Sequence, residues 1–352
     1  MDFYAYLSIS DVIIKLAFTH ALSYINYDKL VFYAIMMCFS TAFIWGCNWL
    51  YCHKNFKECK LKFMWDSTTF KKLLSFSTWN SVGAIASSVN EQGVNILINI
   101  FFNSTLNGAR AIAYQVRVAI NSFAANFLTA VRPQLFKSYA EGKLDYMNKL
   151  VFSSTKFSIY LLLIFILPLL FNTEYILRLW LGEITPEMVT FTRLVLISIP
   201  INTTFPVLAN VSQATGKIKW YQLGAALIFL MIPTNTYVLY RYGFAVEWAF
   251  IMTFVWDVIG LAVRLIMLKK DIQFPMGKYM QKAILPPLLI CVIVTSAIAY
   301  PITFIEIIDW KFLILSSGAI ITATLLFIWL IGLEKYEKHL IGAYIKKITK
   351  HK

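Results

Sequence analysis

The sequence predicts an all-α, polytopic integral membrane protein with about ten transmembrane helices. Its 352 residues have a mean hydropathy of +0.65, and only 14% are charged, against about 25% in an ordinary soluble domain. Apolar runs of about 20 residues, long enough to cross about 30 Å of hydrocarbon, recur along the whole chain. The predicted spans are 3–25, 30–52, 73–102, 109–136, 151–172, 189–213, 220–240, 246–268, 284–304 and 312–333.

The distribution of charge predicts how the chain is oriented. Lysines cluster in every second connection and in the C-terminal tail, whereas the intervening connections carry few basic residues. By the positive-inside rule, both termini and the lysine-rich loops are cytoplasmic. The net charge of +14 is therefore explained without a nucleic-acid partner. Because Met1 is followed by Asp2 and aromatic residues, no cleavable signal peptide is expected, and the first helix stays in the membrane.

Two basic stretches, 53–72 and 269–282, divide the spans into groups of two, six and two. This grouping predicts three segments: 1–65, 66–272 and 273–352. The longest external connection, 173–188, is too short for a soluble domain. The five cysteines are odd in number and most lie in apolar or cytoplasmic stretches, so no disulfide framework is expected.

The fourth span carries a polar stripe. At about 100° per residue, Arg110, Tyr114, Arg117 and Asn121 fall on one face, and Arg132 returns to it. An arginine at the centre of a bilayer costs about 2.5 to 3.5 kcal/mol, so Arg117 must face protein or water. Arg110 and Arg132 are nearer the ends of the span, where a long side chain can reach the interface.

The third span has a matching stripe of Asn80, Ser87, Glu91 and Asn95. If the hairpin is symmetric about its short loop, Glu91 is the expected partner of Arg117. Two interpretations remain open: a structural Glu91–Arg117 pair, or a water-filled cavity that takes an anionic substrate. Guanidinium groups suit the second role because they grip phosphate through paired hydrogen bonds.

Other intramembrane charges are weaker signals. Asp11 and Lys15 lie one helical turn apart and can neutralise each other, whereas Asp257 and Arg264 share a face seven residues apart. Asp257 and Asp11 are the candidates for coupling transport to an ion. The sequence has no phosphate-binding loop, spaced histidine pair or cluster of extramembrane carboxylates, so no enzyme activity, catalytic residue, cofactor or metal is expected.

Three stretches prompt a family comparison: "FSTWNSVGAIASSVNEQGVNILINIFFNSTLNGARAIAYQVRVAINSFAANFLTAVRPQLFKSYAEGKLDYM", "NTEYILRLWLG" and "SQATGKIKWYQ". Together they resemble the bacterial O-antigen and capsular polysaccharide flippases of the polysaccharide-transporter family. That family belongs to the multidrug/oligosaccharidyl-lipid/polysaccharide exporter superfamily. The resemblance extends over essentially the whole chain.

The resemblance implies two six-helix lobes around a central cavity, often with two further C-terminal helices. It implies an alternating-access transporter that moves undecaprenyl-diphosphate-linked oligosaccharide across the bacterial inner membrane for O-antigen or capsule biosynthesis. Arg110, Arg117 and Arg132 would then meet the diphosphate, and Asn80, Asn95 and Asn121 the sugar hydroxyls. The implied partners are membrane lipid, the lipid-linked oligosaccharide and the polysaccharide polymerase machinery.

The chain departs from this pattern at its N-terminal end. The groups of two, six and two match the last two helices of a first lobe, a complete second lobe and the C-terminal pair, so about four N-terminal helices are missing. Two alternatives stay open: a cation-coupled multidrug antiporter, which would depend on membrane carboxylates, and a truncated, non-transporting remnant or scaffold.

Overall fold

The computed structural model describes residues 2–24, 28–56, 66–299 and 310–338, and within these ranges all regular structure is helical. Thirteen α-helices are numbered here in chain order. They are α1 Asp2–Ala21, α2 Lys29–Asn55, α3 Ser67–Phe101, α4 Ser104–Ala140, α5 Leu144–Phe171, α6 Thr173–Leu181, α7 Pro186–Asn202, α8 Thr204–Thr215, α9 Ile218–Arg241, α10 Trp248–Ile272, α11 Met276–Tyr279, α12 Leu285–Val294 and α13 Trp310–Phe327. Three π-helical turns, Met280–Ile284, Thr295–Ala299 and Ile328–Gly332, continue the last helices.

Seven helical stretches in the described part of the chain are long and apolar enough to cross a membrane, as expected for a polytopic membrane protein. They are Lys29–Asn55, Leu144–Phe171, Pro186–Thr215, Ile218–Arg241, Trp248–Ile272, Met276–Ala297 and Trp310–Gly332. The predicted spans in α1, α3 and α4 are not among them. Helices α3 and α4, at 35 and 37 residues, are long enough to cross, but the polar stripes lower their hydropathy.

The chain divides into two compact units, Met1–Phe70 and Lys71–Lys352. In the first unit, α1 and α2 are antiparallel. The ring of Phe3, near the start of α1, stacks at 3.7 Å on the ring of Tyr51, near the end of α2. Asp11 pairs with Lys15 at 2.6 Å, as its spacing predicts, and Ser40 Oγ donates to the same carboxylate at 2.8 Å. The Asp11 carboxylate is therefore neutralised within this unit.

In the second unit, α4, α5, α8 and α10 meet in an apolar core. Leu135, Met147, Val211 and Leu268 are buried there, one from each helix. Burial of a side chain of this size contributes about 1.5 to 3 kcal/mol. The core fixes α4 against α8, and these two helices carry most of the candidate site described below.

The predicted span 189–213 is broken into α7 and α8 at Thr203. Pro206 has no N–H to donate to the carbonyl of Asn202, four residues earlier, so the helical ladder is interrupted at this point. Two hydroxyls bond back to carbonyls of the preceding turn: Thr203 Oγ1 donates to that of Ile199 at 2.8 Å, and Thr204 Oγ1 to that of Ile201 at 2.7 Å. Backbone and side-chain polar groups are thus concentrated at the break.

Two connections differ in how well they were predicted: the turn between α8 and α9, and the segment 173–188 between α5 and α7. The predicted cytoplasmic turn after α8 is present, and Gly216 closes it with a φ of 71°, which favours glycine. The connection 173–188, predicted to be external, contains the short helix α6, which was not predicted from the sequence.

The C-terminal helices pack on α5. Tyr160 Oη donates to the carbonyl of Gly332 at 2.9 Å, and Lys156 Nζ lies 2.6 Å from Glu337 Oε2. The predicted span 284–304 starts earlier, at α11, and its last residues lie outside the described part of the chain. The predicted segment boundaries at 65 and 272 stay predictions.

Candidate functional site

A cavity of about 440 Å³ opens between α4 and the break that separates α7 from α8. Helix α4 places two arginines along it, and the α7–α8 segment contributes amide, hydroxyl and proline groups. The lining residues are Arg117, Asn121, Ala124, Ala125, Leu128, Thr129, Arg132, Asn202, Thr203, Phe205, Pro206 and Asn210. The volume is in the range of small-molecule binding sites, about 300 to 1,000 Å³.

Arg117 is half-buried in the cavity wall and has no carboxylate partner within 4 Å among the described residues. Its Nη2 donates to Asn202 Oδ1 at 3.3 Å, and its guanidinium carbon lies 5.3 Å from the ring centre of Tyr114. Both partners are neutral, and 3.3 Å is long for a hydrogen bond. Most of the hydrogen-bonding capacity of this cation is left for a ligand.

Arg132 is exposed at the other end of the cavity. Its Nη2 donates to Gln213 Oε1 on α8 at 2.9 Å, and its guanidinium carbon lies 5.5 Å from the Phe136 ring centre. The fifteen residues between Arg117 and Arg132 correspond to a rise of about 22 Å along α4. The two guanidinium groups therefore mark the inner part and the mouth of one elongated cavity.

Arg110, the third arginine of the predicted stripe, does not line this cavity. It is only 3% exposed, donates to Asn95 Oδ1 on α3, and lies 4.1 Å over the Tyr114 ring. The ring of Tyr114 contacts both Arg110 and Arg117. The stripe is thus divided: Arg110 is held by packed protein groups, and Arg117 faces the cavity.

The predicted Glu91–Arg117 pair is wrong. Glu91 is exposed on α3 and forms no ion pair within the described residues, while Arg117 bonds to Asn202 on α7. The prediction assumed a symmetric hairpin, but Arg117 bonds to α7, and the polar face of α3 is divided between α4 and α9. Asn80 Oδ1 accepts from Gln222 Nε2 on α9 at 3.0 Å, and Asn95 accepts from Arg110. Of the asparagines expected to meet sugar, Asn121 alone lines the cavity.

Three cavity residues, Asn202, Thr203 and Asn210, were not predicted from the sequence. A signal was present, because the segment "PINTTFPVLAN" places polar residues around two prolines inside an otherwise apolar span. Proline-interrupted membrane helices are a recurrent source of transporter binding sites.

Lys156 was also missed. It directly precedes the apolar run "FSIYLLLIFILPLLF" and is the single charged residue of the predicted span 151–172. Its side chain is nevertheless only 4% exposed. Glu337, with 12% of its side chain exposed, neutralises it. A buried lysine with so close a carboxylate is a structural pair, distinct from the cavity arginines.

The two ion-coupling candidates have different surroundings. Asp11 is paired with Lys15, as described above. Asp257 is 2% exposed, and its Oδ2 accepts from Asn202 Nδ2 at 2.7 Å, so one amide connects it to Arg117. Arg264 is also buried and lies 3.9 Å over the Phe205 ring, while its Nη1 has no hydrogen-bond acceptor within the described residues.

The site is therefore built to bind an anion or a polar group. It offers two guanidinium groups with no carboxylate within 4 Å among the described residues, three amide side chains and two hydroxyls, on a wall whose remainder is apolar. No group of three or more potential metal-ligating residues occurs in the described part of the chain. No model of a known protein family, no curated protein and no solved structure matches this chain.

Proposed function

We propose that this protein is a flippase that moves undecaprenyl-diphosphate-linked oligosaccharide across the bacterial inner membrane by alternating access. The observation that supports this proposal most strongly is the cavity in which Arg117 and Arg132 have amide partners and, among the residues that the structure describes, no carboxylate within 4 Å. A diphosphate is a fitting ligand for such a cavity, since guanidinium groups bind phosphate oxygens through paired, charge-assisted hydrogen bonds. The sequence resemblance selects the substrate class.

The broken helix supports transport rather than static binding. In secondary transporters, interrupted helices expose backbone and side-chain polar groups to a central site, and one bundle of helices rocks against another around that site. Here α7 and α8 are separated at Thr203, and Asn202 and Thr203 both line the cavity. The lipid tail would stay in the bilayer while the charged headgroup crosses through the polar cavity.

The proposal includes the finer topology that the sequence predicts. We place α1, α3 and α4 in the membrane beside the seven apolar stretches, which gives about ten spans. The alternation of lysine-rich connections then puts both termini on the cytoplasmic side. Polysaccharide biosynthesis for O-antigen or capsule is the process in which such a transporter would act, next to the polymerase machinery.

Transfer of undecaprenyl-diphosphate-linked oligosaccharide into inverted membrane vesicles tests the proposal. Replacing both cavity arginines, Arg117→Gln with Arg132→Gln, should abolish transfer that the unaltered chain supports. The matched control is Arg178→Gln, because Arg178 is an exposed arginine on α6 that pairs with Glu174 and lies outside the cavity. Equal transfer by both variants, or none by the unaltered chain, contradicts the proposal.

A cation-coupled antiporter is the second candidate, and Asp257 is the observation that favours it. This buried carboxylate is hydrogen-bonded to Asn202, which lines the cavity, so a cation bound at Asp257 could respond to cavity contents. Cells that express the chain would then resist cationic drugs, and Asp257→Asn would remove that resistance. Unchanged drug sensitivity with and without the chain excludes this candidate.

A further inference from the structure

A basic and aromatic patch lies where α3 and α9 begin, away from the cavity. Lys219 Nζ sits between two tryptophans, 5.1 Å from the ring centre of Trp79 and 5.3 Å from that of Trp220. Lys219 and Trp220 are exposed, the latter by 67%. Lys72 precedes Trp79 by seven residues, which is two helical turns, so it lies on the same stripe of α3 about 10 Å further out.

The lysines of this patch have no acidic partner within the described part of the chain; Asp66, just before α3, is bonded instead to Thr68 and Thr69. Residues 67–90 and 211–246, which contain both helix starts, include no Asp or Glu. No carboxylate of the described residues lies within 4 Å of Lys72, Lys217 or Lys219. Their positive charge is therefore available to a ligand from outside the chain.

The position of the patch along α3 corresponds to a membrane boundary. Trp79 and Phe101 are 22 residues apart, a rise of about 33 Å, which is close to the thickness of the hydrocarbon layer. Phe101 marks the far end, where its ring lies 5.7 Å from those of Tyr237 and Tyr240 on α9. Aromatic residues at both ends of a span are typical of the two interfaces, so Lys72 reaches into the headgroup layer.

Neutral residues that follow the patch along α3 and α9 join these two helices. Gln222 Nε2 donates to Asn80 Oδ1 at 3.0 Å, one residue beyond Trp79 on α3. Gly83 makes room for this bond, because a Cβ there would lie 2.2 Å from Gln222 Oε1. Lys72 and Lys219 therefore lie on two helices that this hydrogen bond joins.

From these observations we infer that the patch is a binding site for the headgroup of an anionic membrane phospholipid. The phosphate accepts from Lys72 and Lys219, the hydroxyl of Ser75 on the same stripe adds a donor, and Trp79 and Trp220 pack against the glycerol and upper acyl chains. A lipid fits better than a free anion, because both tryptophans present apolar surface at the level where acyl chains begin. The site is separate from the transport cavity; it rests on the proposed placement of α3 in the membrane and not on the proposed transport activity.

Binding of fluorescently labelled phosphatidylglycerol to the purified chain in neutral detergent tests the inference, with phosphatidylcholine as the uncharged comparison. Lys72→Gln with Lys219→Gln should weaken phosphatidylglycerol binding about 30-fold. Lys269→Gln with Lys270→Gln is the matched control, since it removes two exposed lysines from the end of α10. It should change the affinity less than threefold.

Two further arms decide the nature of the site. Lys219→Arg keeps the charge and should keep the affinity, whereas Trp220→Ala should weaken phosphatidylglycerol binding because it removes apolar surface that packs against the lipid. The inference is overturned if the two double variants lose affinity equally, which would indicate general charge attraction. It is also overturned if inorganic phosphate at millimolar concentration displaces the lipid, which would indicate a free-phosphate site.

Discussion

Arg117 and Lys156 are both cations in the interior of long helices, but their surroundings are opposite. Lys156 is enclosed between α5 and the C-terminal segment and lies 2.6 Å from Glu337. Arg117 is half-buried at a cavity and touches an amide at 3.3 Å and an aromatic ring at 5.3 Å. The difference separates a cation that holds the fold together from one that is free to bind a ligand. Counting intramembrane charges in a sequence does not make this distinction, because the partner of each cation decides its role.

The largest effect is expected at the paired cation. Lys156→Met leaves Glu337 nearly buried and unpaired, which should destabilise the protein by about 3 to 5 kcal/mol. Adding Glu337→Leu removes the stranded charge and should restore most of the lost stability. Unfolding titrations with a denaturing detergent measure both variants. If the single and double variants are equally destabilised, the pair is not the source of the effect.

The cavity cation should behave in the opposite way. Arg117→Gln removes no ion pair, so stability should change by less than about 1 kcal/mol. Pyrophosphate affinity, in contrast, should fall about 10- to 100-fold, because one charge-assisted bidentate contact is lost. Isothermal titration calorimetry with pyrophosphate measures the affinity, and Arg178→Gln serves as the control. A stability loss as large as that of Lys156→Met would place Arg117 with the structural cations.

Much of the fold followed from the apolar periodicity. The positions of α2, α5, α9 and α10 match the predicted spans to within a few residues, except that α5 starts seven residues earlier. Periodicity finds such helices because the bilayer demands a continuous apolar length. It did not find α6, which is only nine residues long, or the break at Thr203, which arises from the missing N–H of Pro206.

The site was predicted less completely than the fold. The polar stripe of α4 was identified from sequence, and Arg117, Asn121 and Arg132 do lie together at one cavity. The other wall of the cavity depends on how α7 and α8 pack against α4. The spacing of polar residues along one helix carries no information about that packing. For the same reason the stripe did not indicate that Arg110 would be buried against Asn95, or that Glu91 would be left exposed.

An intermediate effect is expected at Asn202, whose side-chain amide lies between the Arg117 guanidinium and the Asp257 carboxylate. Asn202→Leu removes the acceptor of Arg117 and the donor to Asp257, which leaves a buried carboxylate without its hydrogen bond. Stability should fall by about 1 to 3 kcal/mol. Asn210→Leu is the control on the same cavity wall and should cost less than half as much in the same detergent titration. Equal losses would show that the Asn202–Asp257 bond contributes little.

The smallest effect is expected at the contact between α3 and α9. Gly83→Ala places a methyl group where Gln222 now lies, and the bond from Gln222 to Asn80 should be lost, at about 0.5 to 1.5 kcal/mol. Gly108→Ala on α4 is the control, because nothing lies within 4 Å of the added Cβ. It should be neutral or stabilising by about 0.5 to 1 kcal/mol. Two equal changes would mean that Gln222 moves aside freely.

The accessibility of cysteines to a membrane-impermeant thiol reagent tests the central claim most directly. In a background without native cysteines, Asn121→Cys and Thr129→Cys place thiols on the cavity wall, and Ile159→Cys places one in the closed core of α5. We expect the first two to be labelled and pyrophosphate to protect at least Asn121→Cys, while Ile159→Cys stays unlabelled. If neither cavity thiol reacts when the reagent is supplied to both sides of the membrane, Arg117 does not face a hydrated cavity that accepts anions.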